Sequence, residues 1–176
     1  MPTQQHASAI NRLLALLNSG GVGFERGVDR MENAERFDAF RLPLIMGTGE
    51  KAGEDSLPLA RQLRDCLLRL VQHGEDDPDA LAMLNQLSKQ QSFHYFFAEA
   101  SDADLREQGG ETLIGLALRD VAQLRREGKW NRLKICANPD CKAAYFDTTR
   151  ARTQRWHSYA VCGNKANVAA FRSRTA

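Results

Sequence analysis

Ile135 to Lys165 reads ICANPDCKAAYFDTTRARTQRWHSYAVCGNK. Three of the four cysteines in the 176-residue chain, Cys136, Cys141 and Cys162, fall in this stretch together with His157, giving the spacing C-x4-C-x15-H-x4-C. Thiolates and imidazole are donors that Zn2+ takes, and Cys3His is a standard structural set. Two ligands on one turn, followed by two more a short loop away, close a tetrahedron with little chain. Asn138-Pro139-Asp140 supplies the turn chemistry between the first pair. Four protein ligands leave no position open for a catalytic water, so the expected metal is one structural zinc held by Cys136, Cys141, His157 and Cys162. The metal would also staple a segment too small to build its own core. The alternatives are three unrelated thiols, or a disulfide such as Cys136–Cys141, which a cytosolic setting disfavours. Cys66 lies on an apolar helical stripe and reads as a packed thiol.

The residues around these ligands resemble the CGNR-type zinc finger. They are Arg132-Leu133-Lys134-Ile135-Cys136, Cys141, Phe146-Asp147-Thr148-Thr149, Arg155-Trp156-His157-Ser158 and Cys162-Gly163-Asn164-Lys165, and the likeness runs from Arg132 to Arg174. That family follows its two-cysteine knuckle with an aromatic-Asp-Ser/Thr stretch, then Arg-Trp-Cys-Ser and Cys-Gly-Asn-Arg. Two positions depart from the pattern. His157 stands in place of a cysteine, and imidazole nitrogen still ligates zinc. Lys165 stands in place of the final arginine; it keeps the charge but loses the planar fork that binds a phosphate or guanine twice, which weakens the expectation of sequence-specific recognition. Members commonly carry an upstream α/β region, the ABATE domain, described as a stress-induced transcription regulator. Residues 5 to 128 are similar to it in length and layout, including Leu17-Asn18-Ser19-Gly20. The resemblance implies an ABATE-like α+β domain over residues 1–128 and a zinc finger over 129–176.

The net charge of +2 hides an asymmetry. Residues 129–176 hold ten Lys and Arg against Asp140 and Asp147, a net of +8, while the rest of the chain carries −6. An acidic body with a basic tail suggests a module for a polyanion, usually nucleic acid; a solvated basic surface is the alternative. With 43% hydrophobic residues the chain is too apolar for a disordered protein. Its apolar runs, such as Leu13 to Leu17, are too short to span a membrane. Met1 to His6 lacks the features of a signal peptide, so a cytoplasmic protein is expected.

Outward from the finger, the pattern is mostly helical. Gln4 to Asn18 places Ile10, Leu13, Leu14 and Leu17 on one face, and Asn18-Ser19-Gly20-Gly21 ends the helix. Gly20, Gly21 and Gly23, like Gly47-Thr48-Gly49-Glu50-Lys51, lack the Gly-Lys-Ser/Thr of a phosphate loop. A short polar helix is expected over Asp29 to Phe40, and an exposed loop over Arg41 to Asp55. Ser56 to His73 is the clearest helix, with Ser56 as its cap, Leu59, Leu63, Cys66, Leu67 and Leu70 as its stripe, and Gly74 closing it. A further helix spans Asp79 to Gln91, with Ala80, Leu81, Leu84 and Leu87 inward. Ser92 to Glu99, dense in aromatics, reads as a strand that Ala103 to Gln108 pairs with. Glu111 to Glu127 returns to helix, with Leu113, Leu116, Ala117, Val121 and Leu124 inward and Gly128 at its end. The fold class is therefore α+β, mostly helical with a small β element, followed by a small C-terminal zinc finger.

Asn164 is placed to cap a last helix on which Lys165 and Arg172 share a face. Arg150, Arg152 and Arg155 lie in the loop before Trp156. Together with Lys165, Arg172 and Arg174, and with Lys142 also available, they are the expected phosphate contacts, and phosphate-dominated DNA binding is the function they support. Trp156 and Phe171 are expected in the core of the finger. An enzyme would need a convergent nucleophile or acid/base set, and neither His73, His94 nor the Asp76-Asp77-Pro78-Asp79 and Asp102 to Asp104 stretches supplies one. The competing function is a protein-interaction or ligand-binding adaptor whose zinc only clips the C-terminus in place. A small-molecule effector at the N-terminal domain and a homodimer are compatible with either.

Overall fold

In the computed structural model, which describes residues 4–22, 27–99 and 102–175, local pattern and tertiary packing agree over most of the N-terminal part. Met1 to Thr3 and Gly23 lie outside the described residues. The helices are α1 (Gln4–Leu17), α2 (Ala34–Met46), α3 (Leu57–His73), α4 (Pro78–Ser88) and α5 (Leu113–Arg126). An antiparallel hairpin, β1 (Phe93–Glu99) and β2 (Asp102–Glu107), precedes α5. After a 3-10 turn at Trp130–Arg132 come a second hairpin, β3 (Leu133–Ile135) and β4 (Ala144–Phe146), a π turn at Tyr159–Gly163, and α6 (Asn164–Thr175). The fold is α+β and mostly helical, with a C-terminal zinc-finger domain. Among the described residues no helix is long and apolar enough to cross a membrane.

The stripes of α1, α3 and α5 meet in one core. Leu13, Leu16 and Leu17 pack with Leu63, Leu67, Leu70, Val121 and Leu124; each such side chain contributes about 1.5–3 kcal/mol by leaving water. The Cys66 thiol donates to Ala80 O at 2.9 Å and closes α3 onto α4. Arg12 clasps Asp120 of α5 through two bonds of 2.6 and 2.8 Å. The start of α5 is unusually well satisfied for a helix N-terminus. Thr112 Oγ1 accepts from Gly115 N, the Asp55 carboxylate accepts from Leu113 N and Ile114 N, and the Glu107 carboxylate accepts from Thr112 N.

Several expected boundaries move. The loop expected from Arg41 is helical as far as Met46, and Ile45 within it is buried. Asn33 starts α2 by accepting from Arg36 N, so the helix begins later than Asp29 and continues through Pro43. Its buried residues Phe37, Phe40 and Ile45 share a face, but Leu42, Leu44 and Met46 make the second half apolar all round and Pro43 interrupts it, so no distinct stripe marks the helix in the sequence. Ser56 occupies the cap position of α3 but makes no side-chain cap bond. Asp77 does cap α4, accepting from Ala80 N, and α4 ends at Ser88, short of Gln91.

The finger is seated on this body. Trp130, Leu133 and Ala144 belong to the same core as α1 and α3, with Ile135 and Phe146 packed against it. Ala144 pairs with Ile135 inside the hairpin, and its own N–H and C=O face α1. There the Asn18 carboxamide donates to Ala144 O at 3.0 Å and accepts from Ala144 N at 2.8 Å. One side chain thus closes the outward edge of β4 as a neighbouring strand would.

Candidate metal centre and nucleic-acid interface

Cys136 follows β3 directly, and Cys141 lies shortly before β4. The turn between them is built by Asn138, whose carbonyl accepts from Cys141 N at 2.9 Å and whose Oδ1 accepts from Asp140 N at 3.1 Å. Lys142, at a φ of 53°, takes the left-handed conformation that lets the chain return to β4. Cys136 N donates to Ala143 O at 2.8 Å and locks the knuckle. Across from it, Ser158 O accepts from Cys162 N at 2.9 Å and folds the π turn that brings Cys162 back beside His157. Gly163 is required there: a Cβ would come within 2.7 Å of the Tyr159 ring.

The four expected ligands converge. Their donor atoms all lie within 4.8 Å of one another, with His157 Nδ1 at 3.3 Å from Cys141 Sγ and 3.6 Å from Cys162 Sγ. In a tetrahedral zinc site, bonds of about 2.3 Å to sulfur place neighbouring sulfurs about 3.8 Å apart, so the cluster has the dimensions of one Zn2+. Burial pushes the Cys141 thiol up to about 11, because thiolates brought together out of water need a cation. Cys162 is also opposed by burial but lies below the ordinary thiol range, since Asn138 Nδ2 donates to its sulfur at 3.3 Å and Cys136 and Cys141 bond to it. The donor set fits one structural zinc, with all four positions filled by protein. Bound there, the ion would neutralise the thiolates and cross-link β3, β4 and the π turn.

A second polar centre lies beside the metal ligands. Asp147, fully buried, accepts from Lys134 Nζ at 2.6 Å, from Thr149 N and Oγ1, and from Gln154 N. Burial acts against its charge, but these donors outweigh it and hold the carboxyl well below the usual carboxylate range. Lys134 also donates to Arg152 O, and Arg132 donates to the carbonyls of Asp147 and Thr149. The arch from 148 to 155 is therefore pinned from inside. Arg152 sits at a φ of 53° and donates to Asn131 Oδ1. Arg155 lies over the half-buried Trp156 ring, which packs against the cysteine cluster and edge-on to Tyr159.

Arg150, Arg152 and Arg155 are brought together on this arch, all exposed, while Lys142, Lys165 and Arg172 are exposed nearby in sequence on the knuckle and α6. Arg174 is in α6, and its side chain lies outside the described residues. Two expectations fail here. Phe171 is 61% exposed rather than core, because α6 runs on from the π turn with Val168 and Phe171 facing solvent. Asn164 is helical and donates to Ala160 O, while Ser158 is the residue that caps, accepting from Val161 N. The turn expected at Asn138-Pro139-Asp140 is the one that forms, but sequence reading missed Asp147 and Lys134 as residues that shape the site. The signal was an acid within a segment of net charge +8.

Two family models match the chain in order. Residues 11–128 match ABATE, described as a "putative stress-induced transcription regulator", and residues 132–175 match the CGNR zinc finger. No curated protein matches the chain. Both descriptions are regulatory or metal-binding rather than enzymatic, and they agree with the four-ligand cluster. The chain belongs to the ABATE family and carries a C-terminal CGNR zinc finger.

Proposed function

We infer that this zinc-binding regulator binds DNA through its finger, chiefly by phosphate contacts. One observation carries the inference. Of the two acids in residues 129–176, Asp147 is buried and engaged with Lys134, so the arch presents Arg150, Arg152 and Arg155 outward over a fixed frame. Cations held in place by a buried network lose less freedom on meeting a phosphate than cations on a loose tail. The contact set is Arg150, Arg152, Arg155, Lys165, Arg172 and Arg174, with few base-reading groups among them. The division of labour proposed is finger at 129–176 and N-terminal domain at 1–128. Effector binding by the latter is proposed at the open cleft of about 420 Å³ lined by Asp55, Gln90, Gln91, Glu107 and Gln108. A stress-response role and a cytoplasmic site of action belong to the same inference.

The test is a titration of fluorescent duplex DNA with the zinc-loaded full chain at low salt. Binding that weakens steeply with salt is expected. No binding to DNA or RNA would overturn it in favour of a protein-binding adaptor.

A further inference from the structure

β1 carries Phe93-His94-Tyr95-Phe96-Phe97 and has no Asp, Glu, Lys or Arg before Glu99. It forms a sheet with β2 alone, so each strand has one edge turned away from the other. The register shows which backbone groups face outward. Ser92 O accepts from Gln108 N at 2.8 Å, and Phe93 stands opposite Glu107, Tyr95 opposite Leu105, and Phe97 opposite Ala103. The alternation of an antiparallel ladder then turns the N–H and C=O of Phe93, Tyr95 and Phe97 to one outer edge, and those of Ala103, Leu105 and Glu107 to the other.

The two edges differ. On the β2 side, Glu111 Oε1 accepts from Glu107 N at 3.2 Å and the Arg119 guanidinium donates to Leu105 O. On the β1 side, among the described residues no group bonds to the outward backbone of Phe93, Tyr95 or Phe97. The side chains there are also uncovered. Tyr95 is 68% and Phe97 72% exposed, with ring centroids 6.3 Å apart on one face of the hairpin. An open edge is normally guarded by lysine, proline or an inward charge. β1 has none of these, and its register shifts only at the far end, between Phe97 and Glu99.

We propose that β1 is a docking edge for β1 of a second copy, the two strands pairing antiparallel about a two-fold axis at Tyr95 to make a four-stranded sheet. Self-pairing is favoured over another strand by complementarity. A two-fold axis at Tyr95 sets Tyr95 against its own equivalent and Phe93 against Phe97, so aromatic meets aromatic and no like charges oppose. An aromatic side chain offers about 150–250 Å², so Tyr95, Phe97 and the partly exposed Phe96 present about 350 Å² per copy, with the strand backbone in addition. Two copies together then present about 700 Å² of side chain, below the roughly 1,200 Å² of a standard specific interface. The added strand hydrogen bonds must therefore hold a weak, transient dimer rather than an obligate one.

Sedimentation equilibrium of the zinc-loaded full chain over a concentration series is expected to show a monomer–dimer exchange. Phe97→Lys, at an exposed position, is expected to keep the circular dichroism and zinc content and to shift the exchange to monomer. Tyr95→Cys places two thiols across a pair whose Cα atoms are about 5.5 Å apart, within disulfide range, so mild oxidation should link two copies. The wild-type chain, with Cys66 buried and its other cysteines on zinc, should not link. A wild type that is monomeric throughout overturns the proposal. So does a dimer that Phe97→Lys leaves intact, or a Tyr95→Cys chain that forms no intermolecular bond. None of these outcomes depends on whether the finger binds DNA.

Discussion

Asp147 and Glu107 are both buried carboxylates, and their surroundings drive them in opposite directions. Asp147 has an ammonium and three further donors, so its folded value lies below the unfolded one near 3.8. Its contribution is complete above that value and is lost as pH falls through the folded one. Asp147→Asn keeps the shape but removes the charge Lys134 faces, and should cost about 1–3 kcal/mol in urea unfolding of the zinc-loaded protein near neutral pH. Glu107 is raised above 4.5, first by burial and further by the neighbouring carboxylates of Glu111 and Asp55. The folded state then holds a proton that the unfolded state has released, so stability falls as pH rises from 4.5 through the raised value. Glu107→Gln should flatten that fall, read as urea midpoints across the same range. At the metal, Cys141→Ser should lose the zinc, found at about one per chain in the wild type, and Cys66→Ala should retain it by metal analysis.

At the scale of elements, the joint between α1 and β4 decides how far the finger is independent. Ala144 is buried, and its N–H and C=O depend on the Asn18 side chain. Asn18→Ala leaves both without partners and should cost about 2–4 kcal/mol in urea unfolding. It should also weaken zinc retention against a competing chelator, because the unseated strand is the one that follows Cys141. Of the two elements at this joint, α1 was legible in the sequence because its stripe is local, whereas no local signal marked the three-residue strand β4. The stripe of α3, the stripe and closing Gly128 of α5 and the ligand spacing are local in the same way, each within one run of chain. Asn18 and Ala144 are 126 residues apart, and only tertiary packing brings a helix-ending asparagine against a strand edge. For the same reason Phe171 was misplaced: its apolar character predicts burial, but α6 runs outward from the π turn with that ring toward solvent.

For the whole molecule, charge separation turns into a measurable slope. The body carries −6 and the finger +8, so only one end of the chain favours a polyanion. If about four of the exposed cations engage, log affinity should fall against log salt with a slope of about −3 to −4 per chain, and about twice that for a dimer. Arg152→Ala or Arg155→Ala should each flatten the slope by about one with zinc retained, and Lys165→Arg should hold or raise affinity. Both tryptophans lie in residues 129–176, but in different surroundings. Trp130 is sealed in the shared core beside Arg125, and Trp156 lies half-buried between the cysteine cluster and Arg155. The chain therefore carries its own pair of optical probes. Emission from a Trp130→Phe chain would come from Trp156 and follow metal removal and polyanion loading. Emission from a Trp156→Phe chain would come from Trp130 and change only when the β3–β4 hairpin leaves its seat on the body.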